Sequence, residues 1–338
     1  MRVLITGSSG FFMGAFVRQL GNDSRCRHIT LFDQNLTDSP VLEHLAARGK
    51  APTAIVGDIR DRRLLRRCVV DGQIDTIVHA AALTHDPARE RTRPADYYEV
   101  NLMGTVSLLD AVREAGAPLR RFVAISSCAV YGAGVHGLNP VSEGSATLPE
   151  DIYGASKLAT EEAVRRYGEL YELPYVILRP GKLFGATEHA TDARTIMSAP
   201  YQLATAWRRG TPLRTTRRTM TAALDWLNAD DAARALRAVA AGQGCNGTVY
   251  RVGSGHRTPF ADLVATMEAS TGARLVKEVA DSDAADLDID PARCWGEDAA
   301  SDITLARSQL GGNHALSMTK STRMWSSSGE PTNSRHPP

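Results

Sequence analysis

Through the first half of the chain, short continuous apolar runs alternate with longer segments whose apolar positions recur every three or four residues. The runs RVLIT (2–6), HITLFD (28–33), TAIVGD (53–58), DTIVHAA (75–81), RFVAISS (121–127) and YVILRP (175–180) show no polar alternation, as expected of strands buried on both faces. Between them, RDRRLLRRCVVDG (60–72) and the stretches 94–116 and 153–171 have helical length and spacing. Strands alternating with helices give βαβ units, and hence an α/β class with a doubly wound parallel sheet. Right-handed crossovers then bring the carboxyl ends of the strands to one edge, where ligands bind. After Pro180 the rhythm changes: helical segments near 197–209, 229–241 and 259–271 interleave with short strands near 222–227 and 248–252. The predicted organisation is a sheet domain over 1–180, a smaller α/β lobe over 181–310, and a tail over 311–338. The tail is rich in Ser, Thr, Asn, Gly and Pro, a composition that builds no packed core.

The first strand runs into TGSSGFFMG, with Gly7, Gly10 and Gly14. Glycines between a strand and a helix let the backbone turn tightly and approach a pyrophosphate, which sits on the amides of the helix N-terminus. The pattern is weak alone, but Asp33 follows at the end of the next strand, in the context of a Rossmann dinucleotide site. An acidic side chain there accepts hydrogen bonds from the ribose hydroxyls and repels a 2′-phosphate, so NAD is expected rather than NADP. Met13 stands where the fingerprint has its third glycine, the one that serves helix-on-strand packing. Gly14 points about 100° further round the helix and cannot replace it. The expectation is a slightly wider gap filled by a flexible thioether, with phosphate binding kept.

In YGASK, Tyr153 and Lys157 share one face of a helix, one turn apart. An ammonium beside a phenol favours the tyrosinate and brings a tyrosine base closer to neutrality. The strand ending AISSCAVYG supplies Ser126 and Ser127 about one crossover upstream, where a serine can hydrogen-bond the same substrate oxygen.

Composition narrows the function class without adding to the site. Lys and Arg number 39 against 38 Asp and Glu, a net charge of +1, which gives no reason to expect nucleic acid or an anionic membrane as partner. Cys26, Cys68, Cys128, Cys245 and Cys294 are scattered with no C-x-x-C pair, which argues against a disulfide framework or thiolate metal site and for a reducing compartment. Met1-Arg2 leads directly into a strand with no signal-peptide pattern, and no apolar run approaches the roughly 20 residues of a membrane span. The expectation is a cytoplasmic protein with no metal.

Taken in order, TGSSGFF, Asp33, GDIRD (57–61), VHAAA (78–82), VNLMGT (100–105), SSCAVYG, YGASK, LRPGKLFG, DWLNADDAARAL and YRVGSG resemble the extended short-chain dehydrogenase/reductases, and within them the sugar-nucleotide epimerase/dehydratase branch. The resemblance spans about residues 2–310. It implies that Gly7, Ser9, Gly10 and Phe11 line the pyrophosphate turn and Asp33 holds the adenosine ribose. Asp58 and Ile59 would border the adenine and Ala80, Ala81 and Ala82 would lie along the cofactor. Asn101 would position the active-site helix or its water. Ser127 matches the catalytic Ser/Thr, Tyr153 the acid/base, and Lys157 the residue that binds the nicotinamide ribose. Thr84 and His85 are candidate substrate contacts, whereas His79 reads as a strand-end core residue.

Departures from the family pattern carry information too. Dehydratases acting at C6 of hexoses usually have Asp-Glu after the catalytic Thr, and decarboxylases a Glu, whereas Cys128-Ala129 stand here. That pair suits 4-epimerases. Some 5,6-dehydrating relatives carry a cysteine at the Cys128 position, so Cys128 reads either as a small buried residue or as a thiol that protonates a leaving hydroxyl. Lys182 replaces the family's asparagine, and Leu224 replaces an arginine that pairs bidentately with a nucleotide diphosphate. Either Lys182 and the arginines at 208, 209, 214, 217 and 218, Arg217 and Arg218 foremost, take over that charge, or the substrate is a glycoside without diphosphate, such as a nucleoside. Ranked on these residues, a 4-epimerase comes first, a 5,6-dehydratase using Cys128 second and a net dehydrogenase/reductase third. A non-catalytic dinucleotide sensor comes last, because Ser127, Tyr153 and Lys157 are all kept. The resemblance also implies a homodimer through the helices of 94–116 and 153–172.

Overall fold

The computed structural model of the chain describes residues 1–36, 40–49, 51–132, 140–289 and 300–310. Cys294 and the polar stretch 311–338 lie outside the described residues. In chain order the strands are β1 (Arg2–Thr6), β2 (His28–Asp33), β3 (Thr53–Val56), β4 (Thr76–His79), β5 (Arg121–Ile125), β6 (Tyr175–Pro180), β7 (Lys182–Phe184), β8 (Leu213–Thr216), β9 (Ala223–Leu224), β10 (Trp226–Asn228), β11 (Thr248–Val252), β12 (Thr258–Pro259) and β13 (Val276–Val279). The helices are α1 (Phe11–Gly21), α2 (Pro40–Ala46), α3 (Arg62–Asp71), α4 (Pro87–Thr92), α5 (Ala95–Tyr97), α6 (Gly104–Ala115), α7 (Ile152–Tyr171), α8 (Ala199–Arg209), α9 (Arg217–Thr221), α10 (Ala229–Ala240), α11 (Phe260–Thr271) and α12 (Thr304–Leu310).

Seven parallel strands form the central sheet in the order β11-β6-β5-β4-β1-β2-β3. Chain direction across the sheet reverses between β1 and β4, so the switch point lies beside the first βα turn, where an open α/β sheet binds its ligand. The apolar runs of β1, β2, β4, β5 and β6 are buried on both faces, as their lack of alternation requires, whereas β3 departs from that expectation: it ends the sheet, and Thr53, Ala54 and Val56 are exposed. Val3, Ile5, Val78 and Val123 pack with α1 and α10 on one side. Leu4, Ile77, Phe122 and Ala124 pack with α3, α6 and α7 on the other. Each fully buried side chain of this size contributes about 1.5–3 kcal/mol.

The expected boundary at residue 180 is not a clean cut. β11 pairs with β6 from Thr248↔Val176 to Val252↔Pro180, and α10 shares a core with α1. The later chain therefore returns to complete the sheet, because TVYRV offers another strand with a buried face and the helix before it has an apolar one. What remains as the lobe has its own core, with Leu203, Leu224, Trp226, Phe260, Leu263 and Met267.

Residues 94–116 form one continuous helical rod with a π-helical turn over Tyr98–Met103. Within it the Asn101 carbonyl accepts from the hydroxyls of Thr105 (2.5 Å) and Thr160 (3.1 Å). Hydroxyls that compete for a helical carbonyl favour such a widened turn, a feature common at functional sites. Tyr98 and Met103 are exposed on this rod, as are Leu170 and Tyr171 at the end of α7. Among the described residues no helix is long and apolar enough to cross a membrane.

Candidate active site

A cavity of about 1320 Å³ opens along the carboxyl ends of β1, β4 and β5 and continues under residues 182–202. Its near end is the first βα turn. Gly7 has a φ of +68°, and a Cβ there would lie 2.6 Å from the Ala81 nitrogen and 2.7 Å from the Ala80 carbonyl carbon. Only glycine allows both the left-handed backbone and this approach. The Ser9 amide donates to Asp33 Oδ2 at 2.9 Å, and the Ser9 hydroxyl donates to the Asn35 carbonyl. Asp33 is thereby drawn against the turn. α1 starts after Gly10, whose extended backbone offers no side-chain cap, so the first-turn amides of α1 are left for an anion. Met13 is 1% exposed and packs in the core beside Phe11 and Phe16 while lining the cavity.

β4 ends at His79, which is buried. Thr105 spends its proton on the Asn101 carbonyl, so His79 Nε2 donates to Thr105 (2.8 Å) and Nδ1 accepts from Thr6 (2.7 Å). Burial, reinforced by the Lys157 charge, holds its pKa down at about 3, so it is a neutral linker between β1, β4 and α6. Asn101 is also buried. Its Oδ1 accepts from the Leu83 amide (2.8 Å), and its Nδ2 donates to the Leu83 carbonyl (3.1 Å) and to the Ser156 hydroxyl (2.9 Å). It fastens the loop after β4 to α7 from outside the cavity lining. The alanines 80–82 and Ile59 line the cavity. Asp58 does not. Arg60 binds its carboxylate at 2.6 Å and holds its pKa below the ordinary value, and Gly57 and Ile59 border the space on either side of it.

The chemical end is built by α7 and the segment after β5. Asp151 caps α7 by accepting from the Gly154 amide at 2.6 Å. A Cβ on Gly154 would meet the Ala129 carbonyl at 2.6 Å, so glycine here lets the helix start rest on the Ser127 segment and sets Tyr153 beside Ser127. Ser127, Tyr153 and Lys157 all line the cavity. Among the protein's own groups, burial dominates the Tyr153 phenol and pushes its pKa up, opposed by a hydrogen bond from Ser127. This differs from the lowered phenol expected from the Tyr–Lys spacing: desolvation dominates, Asp151 adds to the rise, and the cation acting against it is Arg194. Lys157, likewise buried, is brought down to about 8, with the Glu161 carboxylate one turn away acting against that fall.

Beneath them lies a buried ion pair. Arg179 Nε and Nη2 donate to Glu161 Oε1 (2.9 Å) and Oε2 (2.6 Å), and Ser126 donates to the same Oε1 at 2.5 Å. Of the two adjacent serines, Ser126 therefore serves the foundation, whereas Ser127 also caps the turn that follows by accepting from Ala129. Cys128 is wholly buried, its thiol 3.2 Å from the Pro180 carbonyl, and is not part of the cavity lining.

The far wall departs furthest from expectation. Lys182, Thr84 and His85 line the cavity. Thr84 directs both its amide and its hydroxyl to the Ala193 carbonyl, at 2.9 and 3.0 Å, and so fastens the roof of the cavity it lines. Arg217 and Arg218 are exposed and outside the lining. Arg218 is paired with Asp288 at 2.7 Å, because α9 turns its arginines toward solvent and the Asp286–Asp288 strip. The cavity instead receives Arg194, which sequence reasoning missed. Its guanidinium lies 4.8 Å over the Phe11 ring and binds Glu188 at 2.6 Å. Glu188 is itself fixed by the amide and hydroxyl of Ser198, at 2.7 and 2.5 Å. His189 was missed too: its ring nitrogens contact the carbonyls of Thr187 (2.9 Å) and Ser9 (3.0 Å), joining the roof to the phosphate turn. No periodicity marks TEHATDART, and only its density of charged residues without helix or strand pattern sets it apart.

Single small-ligand sites occupy roughly 300–1,000 Å³. A larger cavity running from an uncapped helix start and Asp33 to Tyr153 fits NAD with a second molecule beside it. Gly7, Ser9, Gly10, Phe11 and Asp33 would hold its phosphate and ribose end, and Lys157 its nicotinamide ribose.

Comparison with known proteins agrees with that geometry. The sequence profile of the NAD dependent epimerase/dehydratase family matches residues 3–253. The low-salt glycan biosynthesis protein Agl12 of Haloferax volcanii is 35% identical over 56% of this chain and 59% of its own length. A UDP-glucose 4-epimerase of Azospirillum brasilense is 34% identical over 55% of this chain and 50% of its own. The chain thus spans between half and three fifths of the length of these two relatives. The dTDP-glucose 4,6-dehydratase 1 of Escherichia coli K12 is 28% identical over 79% of this chain and 76% of its own. Among solved structures, the UDP-glucose 4-epimerase of Thermotoga maritima with UDP-glucose has a TM-score of 0.79 at 21% identity, over 95% of this chain and 96% of that one, which speaks for the fold. DesIV, a dTDP-glucose 4,6-dehydratase from Streptomyces venezuelae with NAD bound, has a TM-score of 0.75 at 27% identity, over 97% and 98% of the two chains. With the Rossmann sheet, the glycine turn and the Ser–Tyr–Lys set in place, the chain belongs to the NAD-dependent epimerase/dehydratase family, of the extended short-chain dehydrogenase/reductase type.

Proposed function

We propose that this protein is a sugar-modifying enzyme that oxidises one hydroxyl of a nucleotide sugar transiently, at C4, and returns the hydride with changed stereochemistry. NAD, when bound, accepts the hydride and gives it back. The chain does the rest. Tyr153 takes the hydroxyl proton, and Ser127 donates to the same oxygen and holds it in line. Lys157 orients the ribose one helical turn from Tyr153.

The observation that carries epimerisation is the wall after Ser127. It presents no carboxylate, and the Cys128 thiol is turned to a backbone carbonyl. Elimination at C6 needs an acid and a base besides the tyrosine, and that segment supplies neither. The 5,6-dehydratase reading through Cys128 is correspondingly weaker. A charged aglycone is supported by Lys182 and Arg194, two cations lining a cavity in which Leu224 has displaced the family's arginine. A second copy paired through the exposed Tyr98, Met103, Leu170 and Tyr171 would complete the assembly.

The test is UDP-glucose deuterated at C4, incubated with the NAD-loaded protein. Deuterium kept at C4 of an inverted product, without accumulation of reduced nicotinamide, is the expected result. One reduced nicotinamide released per sugar consumed would replace the epimerase with a net dehydrogenase.

A further inference from the structure

The roof over the cavity is a loop closed on itself, and its fastenings are unequal. At its neck Glu188 accepts from the amide and hydroxyl of Ser198 at 2.7 and 2.5 Å, and from Arg194 at 2.6 Å. The Glu188 side chain is fully buried. Residues 188 and 198 are thereby held together, and 189–197 form a flap between them. The tip of the flap is a tight turn. Thr191 and Arg194 exchange amide-to-carbonyl bonds, at 3.0 Å each, and the Thr191 hydroxyl accepts from the Arg194 amide at 3.1 Å. Asp192 and Ala193 stand at the end of that turn.

The flap docks on two rims of the cavity, and both border the residues that would hold the dinucleotide. On one rim His189 Nε2 lies 3.0 Å from the Ser9 carbonyl and the Arg194 guanidinium stacks over the Phe11 ring. Ser9 and Phe11 belong to the phosphate turn. On the other rim the tip meets the loop that follows Ala80, Ala81 and Ala82. The Ala193 carbonyl accepts from the amide and hydroxyl of Thr84. The Asp192 carbonyl accepts from Arg89 at 2.7 Å, and Asp86 Oδ2 from the Thr195 hydroxyl at 2.8 Å. The neck and the tip differ in strength. Bonds to the buried Glu188 carboxylate are charge-assisted and shielded from water. Those made by Arg89 and Thr195 at the tip are exposed and compete with water. Asp192, Thr195 and Ile196 are exposed as well, so the tip buries little apolar surface. A segment of this kind opens well before the elements it rests on.

We infer that 189–197 is a retaining flap for the dinucleotide. Latched at its tip to Thr84, Asp86 and Arg89, it keeps the cavity closed while NAD is bound. Unlatching of the tip, with the Glu188–Ser198 neck intact, is the motion that lets the cofactor in and out. This rests on the dinucleotide site alone, whichever sugar reaction follows. In a reaction whose cofactor begins and ends each turnover oxidised, a latched flap prevents its loss midway.

The experiment uses the NAD-loaded full chain with no sugar present. Excess deuterium-labelled NAD+ is added, and release of the unlabelled cofactor is followed by mass spectrometry. Arg89→Ala combined with Thr195→Val removes two latch bonds, and neither residue lines the cavity, so no direct contact with the cofactor is lost. The double variant should release NAD about ten- to thirtyfold faster than the wild type. Amide hydrogen exchange gives a second reading. The Thr84 amide, which donates to the flap tip, should exchange more slowly in the NAD-loaded wild type than in the empty one, and faster in the double variant, with β1 and α1 unchanged. An unaltered release rate in the double variant, or Thr84 protection indifferent to NAD, overturns the proposal. So does faster exchange throughout β1 and α1, which would mark a loosened fold, or loss of NAD from the wild type within the mixing time.

Discussion

One side of the cavity is made of strand ends and the first turn of a helix, the other of irregular backbone between Lys182 and Gln202. On the first side, Gly7, Asp33, Ser127, Tyr153 and Lys157 each stand at a fixed point of a regular element: a βα turn, a strand end, an N-cap, or one helical turn from the last residue. Their positions follow from backbone geometry that cannot drift without breaking the sheet. On the second side, Arg194, Glu188 and His189 are placed by hydrogen bonds among themselves and to Ser198, Thr187 and Ser9. The contrast teaches a division of labour. The regular side holds the Ser–Tyr–Lys set through backbone geometry, and the irregular side is held by its own network of side-chain contacts.

The largest effect should come from the regular side. Tyr153→Phe should lower turnover by about 10²–10⁴-fold while NAD still binds, measured by single-turnover kinetics alongside cofactor titration. Equal losses of turnover and cofactor affinity would mean that the tyrosine only shapes the site. Next is the foundation. Glu161→Gln strands Arg179 in the core and removes the carboxylate that supports Lys157, so urea unfolding should show a loss of about 3–5 kcal/mol. A neutral result would separate the foundation from the site it underlies.

How much of this was legible in the sequence divides along the same line. Continuous apolar runs gave the central strands of the sheet, since residues buried on both faces have no freedom to alternate, but the same pattern in TAIV did not reveal that β3 is an exposed edge. Glycine at 7 and the i, i+4 spacing of Tyr153 and Lys157 marked residues that line the cavity, because a positive φ or a helical turn leaves a mark at one position. The roof left none: an arginine that stacks on Phe11 and pairs with Glu188 looks, in a line of text, like the arginines of α9 that face solvent. The return of β11 to the sheet was likewise hidden, because a strand's partner is set by long-range packing and not by its own residues.

A third consequence is pH-dependent. His79 has its pKa held to about 3 in the fold against an ordinary value near 6.5, so the unfolded chain binds a proton that the native one refuses between those values. Its contribution is fully present above about 6.5 and is lost as pH falls toward 3. Urea midpoints measured across that window should fall with acidity in the wild type and fall less steeply in His79→Gln. Smaller again is the effect at the roof. Arg194→Met should raise KM for a nucleotide sugar by about ten- to a hundredfold with kcat changed much less, whereas Arg217→Ala and Arg218→Ala should leave both within about twofold, since exposed ion pairs are worth about 0–1 kcal/mol. The reverse ranking would move the anion site from the roof to α9.

The central claim is a cofactor kept through the catalytic cycle, and it is tested most directly by denaturing the protein as purified, with no cofactor added, and identifying the released dinucleotide and its redox state. NAD+ in near one-to-one ratio with the chain is the expected result. A protein that emerges empty and binds NAD weakly and exchangeably, or that prefers NADP despite Asp33, would contradict the account and place net oxidation or reduction of the sugar first.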